Sequence, residues 1–82
     1  MKAFVYVTLK PSVLDPQGKA IHHSVEGLGH REIADIRQGK YFEITFNDDV
    51  PQGEAQASAE EIARNVLANP VIEDYRVEVH GS

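Results

Sequence analysis

Four basic side chains stand at or beside turn-forming segments: Lys10, Lys19, Arg37 and Lys40, half of the eight lysines and arginines in the chain. Gathered at one place, such cations would dock an acidic protein surface or touch a phosphate. Asp15-Pro16 opens a helix among them. Its first amides suit an anion, and Asp15 itself is of the type that caps a helix start. Asp48, Asp49 and Glu54 form an acidic loop. Three carboxylates can hold a hard cation, but no EF-hand spacing is present, and a solvated turn is the simpler reading. His22 and His23 point about 100° apart on a helix, so they do not share a metal in the usual i,i+4 manner. His22 and Glu26 have that spacing, but two ligands do not make a site. His30 and His80 stand apart, read as solvated or interface residues. Ser12, Ser24 and Ser58 lack the context of an activated nucleophile, and no carboxylate pair marks an acid/base couple. With no cysteine, disulfides, thiolate metal sites and a cysteine nucleophile are excluded. No catalytic, cofactor-binding or metal-binding residue is therefore assigned.

The elements that must position these residues follow from periodicity. Residues 3–9 alternate Ala3, Val5, Val7 and Leu9 against Phe4, Tyr6 and Thr8. Both faces are largely apolar, the mark of a central strand or of one whose second face is covered. A loop with Pro11 and Pro16 precedes a helix carrying Ala20, Ile21, Val25 and Leu28, closed by Gly29. Gly18 and Gly27 each weaken that helix by roughly 1 kcal/mol relative to Ala. Residues 33–38 and 41–47 read as two strands around a Gln38-Gly39-Lys40 hairpin. Ala59, Ile62, Ala63, Val66 and Leu67 form the stripe of a second helix, stopped by Asn69-Pro70. Its start is open, either at a Ser58–Glu61 capping box or earlier, near Ala55. A last strand covers about 72–79.

The order β-α-β-β-α-β is an α+β, ferredoxin-like pattern: one mostly antiparallel sheet with two helices on one face, here a single domain spanning 1–82. Right-handed crossovers then bring Lys10 to Gly18, Arg37 to Lys40 and Asn69 to Val71 to one end of the sheet. The acidic loop 47–53 falls at the other. Lys10, Lys19, Arg37, Lys40 and Asn69 become the candidate partner-docking set. The face away from the helices shows Phe4, Tyr6, Thr8, Tyr41 and Thr45, more apolar than a solvated face requires. These five are the candidate self-association surface.

The chain has 82 residues and a net charge of −5, from thirteen acids against eight bases. That balance argues against a nucleic-acid partner, whose phosphates call for a basic face. A domain of this size buries only about 60 to 65% of its surface, so association is expected from size alone. The first residues form too short and too alternating an apolar run for a signal peptide or a membrane span, and the chain is read as cytoplasmic.

Three segments, VYVTLKPSVLDPQGKAI, IRQGKYFEI and LANPVIEDYRVEV, resemble the PurS family, the small subunit of phosphoribosylformylglycinamidine synthase. The resemblance implies a β-α-β-β-α-β fold and a part in de novo purine biosynthesis. There, ATP and glutamine convert phosphoribosylformylglycinamide to the amidine. It further implies a homo-oligomer, dimer or tetramer, that joins the large synthase subunit to the glutaminase subunit and aids ammonia transfer. ATP and Mg2+ would be used by the complex and not bound by this chain. The residues agree with such an adapter: no GxxxxGK[ST] loop occurs, and the Gly-Lys pairs at 18–19 and 39–40 lack its context. The competing reading is a regulatory module of ferredoxin-like type that binds a small ligand between subunits, because fold alone does not set function.

Overall fold

The structure, a computed structural model, describes residues 1–81. Ser82, the end of the expected single domain, lies outside the described residues. The elements are β1 (Lys2–Leu9), α1 (Pro16–Gly27), β2 (Gly39–Thr45), α2 (Gln52–Ile62, continued by a wide turn Ala63–Leu67) and β3 (Glu73–His80). The sheet has the order β2-β1-β3 and is antiparallel throughout. The apolar two-faced segment is the central strand. Tyr6 stands between Tyr41 and Arg76, and Val5 between Phe42 and Val77.

The α+β class, the antiparallel sheet and the two helices match the sequence reading, but the element order is β-α-β-α-β. Residues 33–38 form no strand, so no hairpin turns at Gln38-Gly39-Lys40. The physical reason is that this segment is already taken up by α1. The His22 side chain bonds the carbonyl of Ile33 through Nε2 at 2.9 Å. The Gly18 backbone abuts the carbonyl of Ile36. With its polar groups turned to a helix, the segment has no neighbouring strand to extend.

The core lies between β1 and α2. Ala3, Val5 and Val7 are fully buried on one side, and Ala55, Ala59 and Ala63 on the other. A row of alanines lets the helix sit close on the pleated sheet. Phe42, Ile44, Leu67, Tyr75 and Val77 pack around this centre but stay partly exposed. α2 starts at Gln52, without a side-chain cap, earlier than a Ser58–Glu61 box would place it. In its last turn the Ala68 amide donates to the carbonyl of Ala63, five residues back, at 2.9 Å. The extra residue rotates the stripe. Ala68 takes the inward place, and Val66, expected on the buried face, is 74% exposed.

α1 does not lie on the sheet. It runs outward, turns at Gly29 (φ 99°), and residues 30–38 return along it. The two passes make an arm. The molecule measures 50 × 28 × 14 Å with a radius of gyration of 16.2 Å. A compact chain of this length would give about 12 Å. Leu14, Ile21 and Leu28 are exposed along the arm. Among the described residues, Val5 and Val7 are the largest side chains buried in full. At about 1.5 to 3 kcal/mol for each such side chain, the core is thin for 82 residues.

The arm depends on the absence of a side chain at Gly18, where a Cβ would stand 2.3 Å from the Ile36 carbonyl oxygen. Gly18→Ala should therefore destabilise by about 1 to 3 kcal/mol despite alanine's better helix propensity. Gly27 has open space around it. Gly27→Ala should stabilise by about 0.5 to 1 kcal/mol. Urea unfolding of the two variants checks both signs.

Candidate interaction surfaces

The base of the arm is built around Asp15. It is buried, at 4% exposure, the sole charged residue so enclosed among the described residues. One carboxylate oxygen accepts the Gly18 amide at 2.9 Å, which is the N-cap bond of α1. The other accepts the Gln38 amide at 2.8 Å, where the returning segment enters β2. These two amides, and more weakly the charge of Arg37, hold the carboxyl below the usual carboxylate range against the effect of burial. One side chain thus starts the helix and ties down the segment that comes back from it.

The predicted convergence at this end of the sheet occurs. Arg37 donates through Nη2 to the carbonyls of Lys10 (3.0 Å) and Val13 (3.1 Å). Lys10 pairs with Asp74 at 3.0 Å, and Lys40 with Glu73 at 3.3 Å. Asn69 organises the turn before β3: its Oδ1 accepts the Val71 amide, and its carbonyl accepts those of Ile72 and Glu73. A cavity of about 190 Å³ opens here, lined in part by Val7, Leu9, Gln17, Lys40 and Glu73. Lys19, on α1, makes no ion pair among the described residues. The set is brought together, but three of its cations already serve contacts within the chain. The Phe46 amide bonds the Met1 carbonyl, so the acidic loop that follows begins at the opposite end.

The face of the sheet away from α2 carries the aromatic patch. The strand register puts Phe4, Tyr6 and Thr8 of β1 with Tyr41 and Thr45 of β2 on that side. Phe4 stacks on Tyr41 with ring centroids 6.0 Å apart, and Tyr6 lies 5.4 Å from Tyr41. β3 adds two groups outside the five residues assigned to this face from the sequence, Arg76, not singled out there, and His80, read there as solvated or interface. His80 meets Phe4 edge-on at 5.1 Å, and Arg76 lies 4.5 Å above the Tyr6 ring. Alternation along β3 was the available signal, since it puts Arg76 and His80 on the face of Tyr6. Lys2 pairs with Glu43 and Arg76 with Glu78 at the margins. The hydrogen bond and charge of Glu43 raise Lys2, while partial desolvation, with Glu43 adding to it, raises the Tyr41 hydroxyl. The patch is aromatic at its centre, and its rim carries Lys2 and Arg76 against Glu43 and Glu78.

The family model PurS: Phosphoribosylformylglycinamidine (FGAM) synthase matches residues 2–81. The chain belongs to the PurS family. It is 45% identical over 78 residues to the phosphoribosylformylglycinamidine synthase subunit PurS of Bacillus subtilis, covering 95% of this chain and 90% of that one. It is likewise 45% identical over 76 residues to the Mycobacterium leprae subunit, covering 93% and 91%. A crystal structure of B. subtilis PurS superposes with a TM-score of 0.80 at 44% identity, over 98% of both chains. Methanocaldococcus jannaschii PurS, described as one of the subunits of formylglycinamide ribonucleotide amidotransferase in the purine biosynthetic pathway, gives 0.83 at 32% identity, over 96% and 94%. This PurS chain is accordingly a subunit of phosphoribosylformylglycinamidine synthase, in purine biosynthesis. No helix among its described residues is long and apolar enough to cross a membrane.

Because the folded state holds the Asp15 carboxyl below its unfolded value near 3.9, the carboxylate stabilises the fold above about pH 4. That contribution is lost as pH falls through the folded value. Asp15→Asn keeps the size but turns an amide donor toward an amide donor. It should lower the urea midpoint at about pH 7, and the gap to the parent protein should narrow as pH falls below about 4. A gap that stays constant across that range would show that the carboxylate charge plays no part.

Proposed function

We propose that this chain is the non-catalytic adapter of the synthase complex. It self-associates, joins the glutaminase and large synthase subunits, and keeps ammonia from escaping between their sites. The observation that carries this reading is where the apolar surface lies. The protein is 50 Å long, with aromatic residues on an open sheet face and aliphatic ones along an arm. A fold that buries so little internally is completed by other chains. ATP and Mg2+ then belong to the larger subunits, and the assembly is a cytoplasmic one.

In this reading Phe4, Tyr6, Thr8, Tyr41 and Thr45 form a contact between copies, packed sheet on sheet about a two-fold axis. The basic end of the sheet, with Lys10, Lys19, Arg37, Lys40 and Asn69, meets a larger subunit. Lys19 is the cation left most available for it, because Lys10 and Lys40 are paired and Arg37 binds backbone carbonyls. Packing such an end against another chain would orient both partners on one rigid base.

Reconstitution with the glutaminase and large subunits tests the role directly. Glutamine-dependent amidine formation should require this chain, and the chain alone should turn over neither glutamine nor ATP. Equal turnover without it would remove the adapter reading. Tyr6→Glu should split the sheet contact, seen as a lower mass by sedimentation; an unchanged mass would move the contact elsewhere. Lys19→Glu should change stability by less than about 0.5 kcal/mol while weakening capture of the larger subunits.

A further inference from the structure

The cavity of about 190 Å³ at the root of the arm joins apolar and charged groups in a small space. Val7 and Leu9 of β1 lie under it. Lys40 and Glu73 stand on either side of that strand, paired in register with Val7 and Leu9. Gln17, in the first turn of α1, and Gln38, just before β2, bring side-chain amides that both donate and accept hydrogen bonds. Three separate segments thus meet around one volume.

The charges there define what fits. The Glu73 side chain is only 12% exposed, and its Oε1 accepts the Asn69 amide at 2.7 Å. Its Oε2 faces Lys40 Nζ at 3.3 Å, a long ion pair, and the lysine side chain is 53% exposed. Lys40 therefore keeps N–H donors for a ligand. The other carboxylate of the lining, Asp15, already accepts one amide on each oxygen. A simple anion would meet the charge of Glu73 and Asp15, and a simple cation would meet that of Lys40. The volume is well below the roughly 300 Å³ at which ligand pockets ordinarily begin, so a nucleotide or a sugar phosphate is too large. A small ligand that carries both charges side by side meets none of these objections. We propose that this cavity binds a free α-amino acid with an aliphatic side chain.

The ligand carboxylate meets Lys40, its ammonium meets Glu73, and its side chain lies on Val7 and Leu9. The two charges of an α-amino acid are held one carbon apart, as the Lys40 and Glu73 groups are held side by side here. Entering between them, the ligand exchanges one long ion pair for two charge-assisted hydrogen bonds, and the Gln17 and Gln38 amides serve the remaining donors and acceptors. An occupant of this kind ties α1, β2 and β3 together at the root of the arm and stabilises the fold by mass action. The site is built from this chain alone, so it stands apart from the adapter role. It lies at the end of the sheet assigned to a larger subunit, and its occupancy would alter the surface that subunit meets.

Amide NMR spectra of the isotope-labelled full chain, titrated with L-leucine, test this. Saturable shifts are expected at Leu9, Gln17, Gly39 and Lys40. Isocaproate lacks the ammonium and isoamylamine lacks the carboxylate. Each should bind at least about tenfold more weakly than L-leucine, the cost of one lost charge-assisted bond. Lys40→Gln should weaken L-leucine binding by a similar factor while leaving amides remote from the cavity unmoved. If that variant is unfolded, Glu73→Gln takes its place, since the glutamine carbonyl still accepts the Asn69 amide but carries no charge. No saturable shift, shifts centred on the aromatic face, isocaproate binding as well as L-leucine, or a folded variant that binds like the parent would each overturn the site. Reconstitution that fails while L-leucine still binds would remove the adapter role alone, and intact reconstitution by a chain that binds no L-leucine would remove the site alone.

Discussion

One buried carboxylate governs the shape of this protein. The two oxygens of Asp15 accept amides from residues 18 and 38, twenty positions apart in the chain. The first bond starts α1 and the second ends the excursion that α1 begins. Each acceptor offsets the cost of burying a charge with a backbone donor that would otherwise be unsatisfied. Gly18 completes the joint by letting the returning backbone pass where a side chain would stand. The result is a rigid root, and a rigid root makes an arm instead of a loop that folds back.

From that geometry the rest follows. In a ferredoxin-like arrangement two helices share one face of the sheet. Here α2 alone lies on β1 and β3, and the helix that would take the second place is held clear. What remains buried is a small set of valines and alanines. The large apolar groups sit at the periphery, as the aromatic patch on one side of the sheet and as Phe42, Ile44 and the arm residues on the other. Such a protein trades internal stability for surface, and surface is what a subunit that joins others supplies. Membership of the PurS family makes this chain a subunit of phosphoribosylformylglycinamidine synthase, and the proposed adapter role gives that surface its use.

Where the code is local, the chain was readable. Strand alternation assigned Phe4, Tyr6 and Tyr41 to one face, and the register bears that out. Asp15-Pro16 and Gly29 marked the ends of α1, and both act there as caps or turns. Residues 33–38 misled because Gln38-Gly39-Lys40 is a turn signal that calls for a strand on each side of it. Only the position of α1 shows that their carbonyls are already engaged. Val66 misled because the stripe was counted at 3.6 residues per turn, and one widened turn shifts the count by a residue. The basic cluster was located correctly, while the pairing of Lys10 and Lys40 with Asp74 and Glu73 required the strands to be in register.

Class, face assignment, helix ends and family resemblance were set by residue types and their spacing, because these are short-range properties of the backbone. The direction of α1, the state of residues 33–38 and the identity of the free cations were decided only in three dimensions. Each depends on a contact between segments far apart in the chain: Asp15 with Gln38, Gly18 with Ile36, Lys40 with Glu73. No periodicity records which distant donor a buried carboxylate will find.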